Sequence, residues 1–360
     1  MASRLRPAGI LVCCAALLGT LTGCSTMGGG DRDATSGGNA SGAGTLTVVT
    51  HDSFELPDEL LAQFREQSGY EVTVLRSGDA GTLTNKLVLT KSNPIGDVAF
   101  GIDNTFATRA TDEEVFAPYQ PELPAGVDRY LLPGDEAGRP VPVDVADVCV
   151  NIDTTWFAKN KVKPPATLRD LTDPAYADLM VAPGASTSSP GLAFLLTTIA
   201  EFGDDWPQYW SKLMDNGLKI TSGWSDAYYA DFTQGGQGGD RPVVVSYDSS
   251  PAFTVPEGAE ASTTAALLDT CFQQVEYAGV LAGTKNRQGA EAFVDFLLSK
   301  PVQQKLPESM YVFPVRQDVQ LPAEWAAHAK RPDDPYTVDP QQISANREKW
   351  LNTWTDITSK

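Results

Sequence analysis

The stretch TLTVVTHDSFELPDELLAQFREQSGYEVTVLRSGD, residues 45–79, decides the architecture. It opens with a short apolar run, residues 46–49, that breaks into polar residues where a strand would end. Pro57 then sits where a helix starts, Leu60, Leu61 and Phe64 form one apolar stripe, and Gly69 supplies the stop. Residues 71–76 alternate in character and read as a second strand. The plan repeats at once: TLTNKLVLTKSN (82–93) reads as a helix and DVAFGIDN (97–104) as a third strand. The order β-α-β-α-β predicts an α/β fold with a mainly parallel sheet flanked by helices. Ligand loops then belong at the carboxyl ends of the strands.

Downstream, VPVDVADVCVNID (141–153) and CFQQVEYAGVLA (271–282) read as extended. Between them, PPATLRDLTDPAYADLMVAP (164–183) reads as helix then strand, SSPGLAFLLTTIAEFG (188–203) as a loop entering an apolar helix, and PVVVSYDSSPAF (242–253) as strand and loop. That is a second α/β unit. About 315 residues follow residue 44, long for one core, so two lobes are expected. A tail helix with a Trp350/Leu351/Trp354 face reads as packing.

The amino terminus is of another kind. Arg4 and Arg6 precede an apolar run, residues 10–18, too short to span a bilayer, so residues 1–23 read as an export signal. The run ends in LTGC (21–24), which resembles the lipobox of bacterial lipoproteins. That resemblance implies cleavage before Cys24, a lipid on its thiol and an anchor on the outer face of the cell membrane. A plain signal with a chance cysteine is the alternative. Residues 24–44 are Gly/Ser-rich without apolar periodicity and read as a flexible tether.

With 46 acidic against 27 basic residues, the chain carries a formal charge of −19, which argues against nucleic acid and anionic lipid surfaces as partners. It is compatible with a cationic ligand. Once the signal and Cys24 are set aside, Cys149 and Cys271 remain. In an oxidising compartment they could form a disulfide or stay as two buried thiols, and spacing alone leaves both open. Catalytic signatures are lacking. The chain has two histidines, His51 and His328, no GxSxG, HExxH or GxxxxGK[ST], and no Cys/His set with zinc spacing. GGQGG (235–239) reads as a surface turn. No enzyme, cofactor or metal is expected from these residues.

GWSDAYYADF (223–232) asks a sharper question, with Trp224, Tyr228, Tyr229 and Phe232 beside Asp226 and Asp231. Such rings could stack on a flat organic cation, supply two tyrosinates to a hard metal, or fill a core.

Taken in order, LTVVTHDSF, GDAGTLTNKLVLTKSNPIGDVAFGIDN, TSSPGLAFLL, ITSGWSDAYYADF, VVVSYDSSPAF, QQVEYAG, and YVFPV followed by LPAEW resemble the thiamine-binding proteins of bacterial ABC importers. These stretches run from about residue 45 to the end. The resemblance implies a two-lobed periplasmic-binding-protein type II fold. One lobe would be residues 45–146 with 274–360 and the other 147–273, joined by two hinge crossings at VADVCVNID and TCFQQVEYAG. Crossing strands lie side by side in that fold, which implies a Cys149–Cys271 disulfide. The ligand, thiamine or its phosphates, would lie between the lobes. By motif, the resemblance implies a set of positions: Asp79 and Ala80 after the second strand; Ser188, Ser189 and Gly191 ahead of the apolar helix; Trp224 of GWSDAY; and Tyr247, Asp248, Ser249 and Ser250 at a strand end. His51, Asp52, Phe253 and Tyr311 complete the expected ligand set. Asp79 would partner the ring amine or the positive charge, and amides ahead of the Gly191 helix could receive a phosphate. Implied partners are a permease pair with a separate ATPase, and the receptor is expected to be a monomer. Three positions depart from the family: His51 and Phe253 stand for tyrosines and Tyr311 for a tryptophan. Ferric-ion-binding proteins share the fold and give the rival reading, with Tyr228, Tyr229 and His51 as ligands.

Overall fold

The computed structural model describes residues 44–135 and 137–359. The expected signal, Cys24 and all of the tether but Gly44 lie outside the described residues. Eleven strands are described: β1 (Gly44–Thr50), β2 (Tyr70–Arg76), β3 (Val98–Asp103), β4 (Val141–Val145), β5 (Val148–Asp153), β6 (Met180–Pro183), β7 (Lys219–Thr221), β8 (Val243–Tyr247), β9 (Thr264–Phe272), β10 (Val275–Val280) and β11 (Phe313–Pro314). They form a six-stranded sheet of order β11-β4-β10-β3-β1-β2 and a five-stranded sheet of order β7-β6-β8-β5-β9.

The opening unit folds as its periodicity dictates. Helix Asp58–Ser68 connects β1 to β2, with Asp58 and Glu59 in its first turn and Gly69 closing it at φ 77°. Its Leu60 and Phe64 are buried, and Phe64 meets Phe293 edge-on at 5.1 Å. Helix Ala80–Leu89 connects β2 to β3. β1 is parallel to both β2 and β3.

The sheets as a whole are mixed rather than mainly parallel. β10 runs antiparallel to β3 and β4, and β5 runs antiparallel to β8 and β9. The cause is the path of the chain. It leaves the first sheet through Ala146 and Asp147 and returns through Gln273 and Gln274, and two adjacent strands made by leaving and returning must oppose each other. The crossings are joined by Ala146 N–H donating to the Gln274 carbonyl at 3.3 Å.

Beside them a disulfide joins Cys149 of β5 to Cys271 of β9, 122 residues apart. It sits where β5–β9 pairing is irregular: Val148 faces Phe272, but Val150 faces Leu267. Closing so long a loop contributes about 3–5 kcal/mol in the chain-entropy account. A Cys149→Ser/Cys271→Ser double variant is therefore expected to unfold more readily by about that amount. Urea titration reads this, and an unchanged midpoint would contradict it.

One local reading differs, and one holds. Residues 164–179 hold only single turns, Asp170–Thr172 and Pro174–Tyr176, in place of a helix. Pro164, Pro165 and Pro174 deny it backbone donors and restrict the residues before them. The final helix, Pro340–Thr358, packs on helix Trp206–Asp215, with Trp354 edge-on to Trp210 at 5.7 Å. It also touches Ala107–Asp112, so it bears on connections belonging to both sheets.

Candidate functional site

A cleft of about 400 Å³ opens where loops from both sheets meet, within the usual range for a small-molecule site. Of the expected ligand positions, His51, Asp52, Asp79, Ala80, Ser189, Trp224, Tyr247, Ser249, Ser250, Phe253 and Tyr311 line it. Three do not. Ser188 is fully buried behind the wall. Gly191 lies against residues 183–184, where a Cβ would come within 2.4 Å of the Gly184 carbonyl oxygen, so its role is close packing. Asp248 is also fully buried; its Oδ1 accepts from the Asp147 N–H at 3.2 Å, and Asp147 is paired with Arg331 at 2.9 Å.

Trp224 forms one wall. Its ring stacks on Tyr228 with centroids 4.9 Å apart and an interplanar angle of 19°. A polar chain fixes the indole: Nε1 donates to Ser246 Oγ at 2.9 Å, and that hydroxyl shares a 2.7 Å bond with Ser250 Oγ. Ser250 thus orients the wall, and Ser246, which motif reading missed, is its first support. Residues 226–231 form a turn of π-helix, which brings Tyr228 beneath Trp224 and leaves Tyr229 edge-on to it at 5.3 Å. At the mouth, Phe253 meets Tyr311 edge-on at 5.2 Å. Tyr311 has φ 56°, a left-handed backbone unusual for a residue with a side chain.

Asp79, which lines the cleft, also accepts hydrogen bonds from within the protein. Oδ1 accepts from Ala80 N–H at 2.6 Å and Ser189 N–H at 3.4 Å, and Oδ2 from Trp224 N–H at 2.9 Å. One of the amides that a phosphate was expected to find, the Ser189 N–H, is therefore taken by the protein's own carboxylate. It also ties the loop after β2 to two segments of the other sheet's half. Thr82 N–H donating to the Thr187 carbonyl at 3.2 Å supports the same approach.

The floor is acidic. Glu276 of β10 lies opposite Asp103 of β3 on one side and Asp144 of β4 on the other. Only Glu276 of these three lines the cleft. Burial lifts the Asp103 carboxyl to about 7 against the pull of its Thr105 partner. Burial holds Asp144 well above the carboxylate range, and the neighbouring Glu276 charge acts the same way. His51, at the end of β1, packs its ring on Gly101, which has φ 90° and no room for a Cβ. Its Nε2 lies 3.3 Å from Glu276 Oε1. Burial lowers the His51 pKa, but the Glu276 charge and hydrogen bond, with the Asp79 and Asp52 charges, together outweigh it and leave the net value above the ordinary one. Glu276 and Gln274 are cleft residues that motif reading passed over.

The ferric reading requires the two neighbouring tyrosines to offer phenolates together. Tyr228 is buried under Trp224, and burial raises its phenol well above the ordinary value. Burial likewise raises Tyr229. His51 is engaged by Glu276. This arrangement favours rings as packing surfaces over phenolate ligands.

Comparison with known proteins agrees with the geometry. Residues 93–338 match the family model described as bacterial extracellular solute-binding protein. The thiamine-binding periplasmic protein of Salmonella typhimurium is 31% identical over 327 residues, covering 88% of this chain and 94% of that one. The solved structure of a periplasmic thiamin binding protein superposes with a TM-score of 0.74 at 29% identity, covering 88% of this chain and 96% of that one. Iron uptake protein A1 of Synechocystis is more distant, 23% identical over 318 residues and 82% of each chain. The fold is thus that of type II periplasmic binding proteins, and the chain belongs to the bacterial extracellular solute-binding protein family.

Proposed function

We propose that this protein is an exported receptor that captures thiamine in the cleft and delivers it to the permease of an ABC importer driven by a separate ATPase. The observation that carries the reading is the composition of the cleft. A stacked Trp224 face stands beside an acidic floor, and no lysine or arginine lines the space among the described residues. A flat, permanently charged thiazolium suits such a wall, since an aromatic face over a cation contributes about 0.5–2 kcal/mol beyond apolar burial. The receptor acts by binding rather than catalysis and needs no cofactor.

In this reading residues 45–146 with 274–360 form one lobe and residues 147–273 the other. They close on ligand about the crossings at 146–147 and 273–274. Contacts drawn from both lobes favour the closed form by differential binding. Residues 1–23 are the signal, Cys24 bears the lipid, and residues 24–44 tether a monomeric body to the membrane's outer face.

Calorimetry on the tether-trimmed protein, unfolded and refolded to strip carried ligand, tests this. One-to-one binding of thiamine and none of ferric citrate is the expected result. Thiamine phosphates compete with Asp79 for its amides and are expected to bind less tightly. Binding of ferric citrate with a tyrosinate charge-transfer colour, and no heat from thiamine, would overturn the reading.

A further inference from the structure

We propose that Glu276 is the carboxylate that receives the charge of a cationic ligand, and that His51 competes with the ligand for it. The inference rests on the thiamine reading above and names the group that selects for positive charge.

The other acids at the cleft are already engaged. Asp79 holds three amides, Asp52 Oδ1 accepts from Gly78 N–H at 3.0 Å, and Asp226, exposed on the rim, accepts from the Ser222 hydroxyl. Glu276 is different. It is 7% exposed, lines the floor, and has His51 as its one ion-pair partner among the described residues. Asp103 and Asp144 lie abreast of it, both fully buried, and neither Asp144 oxygen has a hydrogen-bond donor. Three adjacent carboxylates cannot all ionise in a buried row. Glu276 is the member of the row that lines the cleft, and burial favours the protonated form of its neighbours. The row thereby presents the Glu276 carboxylate at the cleft floor, close to Tyr247, whose phenol burial and then the Glu276 charge raise well above its ordinary value.

His51 can withdraw that charge. Its Nδ1 accepts from Ser53 N–H at 3.0 Å, so a neutral ring carries its proton on Nε2, toward Glu276. A second proton must displace the Ser53 amide and makes an imidazolium beside Glu276. The charged and titratable groups facing this pair are Asp103 and Asp144 from the adjacent strands, Asp52 and Asp79 from the loops after β1 and β2, and Tyr247 from the second sheet. An imidazolium and a ligand cation repel each other and seek the same carboxylate. Because His51 is charged below its pKa, affinity for the cation falls as pH drops through that value. Binding in that range releases a proton.

Thiamine titrations of the tether-trimmed protein from about pH 5 to about pH 8, in phosphate and in Tris, test this. Wild-type affinity is expected to rise with pH by up to about tenfold per unit below the His51 pKa, with a binding heat that differs between the buffers. Glu276→Gln is expected to weaken binding about 10- to 100-fold at the upper pH. His51→Phe is expected to flatten the slope and shrink the buffer dependence, leaving only what Asp103, lifted to about 7, contributes. Equal affinity in Glu276→Gln, or an unchanged slope in His51→Phe, overturns the proposal while leaving thiamine as ligand. If Glu276→Gln fails to fold, as a thermal melt would show, the His51→Phe slope decides alone. No binding by wild type at any pH removes the thiamine reading and this proposal with it.

Discussion

Trp224→Ala is expected to weaken thiamine binding at least about 100-fold, to the edge of calorimetric detection. The indole contributes the cation–aromatic attraction, about 0.5–2 kcal/mol. It also buries one face of the ligand, at roughly 25 cal/mol per Å² of apolar surface. Its removal strips the cover from Tyr228, which stacks beneath it, and leaves Ser246 Oγ without its indole donor. The cleft then loses its wall as well as a contact. Tyr229→Phe is the control. The Tyr229 ring stands edge-on to Trp224, so losing its hydroxyl should change affinity by less than about threefold. A Trp224→Ala protein that binds within tenfold of wild type would place the ligand elsewhere. A large loss in Tyr229→Phe alone would return attention to phenolate chemistry.

Asp79→Ala should be nearly as damaging, for a different reason. Its carboxylate closes three amides from segments far apart in sequence, at residues 80, 189 and 224. Hydrogen bonds to a charged group contribute about 1.5–3 kcal/mol each, and amides left bare on closing cost more. In the proposed hinge mechanism two of those bonds exist only in the closed form, so their loss moves the equilibrium toward the open one. The expected result is a loss of affinity of about 100-fold and, in X-ray scattering with saturating thiamine, incomplete compaction. Asp79→Asn keeps an acceptor oxygen and should fall between. Full compaction of Asp79→Ala at wild-type affinity would show that these amides do not latch the cleft.

Local order was legible in the sequence because it is local. Leu60 and Phe64 share a stripe, Gly69 ends it, and the strands on either side announce themselves by composition. Strand direction in the full sheets was not legible. It follows from β10 and β5 sitting beside the strands through which the chain left or returned, a relation across more than a hundred residues. The site divides in the same way. The loops that reach the cleft could be placed by motif, but which member of each loop faces it could not. Ser189 lines the space while Ser188 is buried behind it, and Asp248 turns from Tyr247 toward Asp147. Asp79 was found, yet its amide partners lie 110 and 145 residues away. Glu276 sat inside a stretch that reads as an ordinary strand. Only its register against Asp103 and Asp144 shows that it is the one acid of that row to reach the cleft.

The disulfide at the crossings has a mechanical consequence. Cys149 and Cys271 lie just inside the second sheet, next to the residues at which the chain passes between sheets. Two straps clamped at one end can bend together, but they cannot slide past each other. In the proposed hinge mechanism the clamp removes shear and leaves rotation about residues 146–147 and 273–274 as the one easy movement. A trap with a single degree of freedom returns its Trp224 wall to the same place at every closure. Reduced, the same hinge would close by many slightly different routes. Ligand capture would then become heterogeneous in time, even where every contact in the closed cleft stayed available.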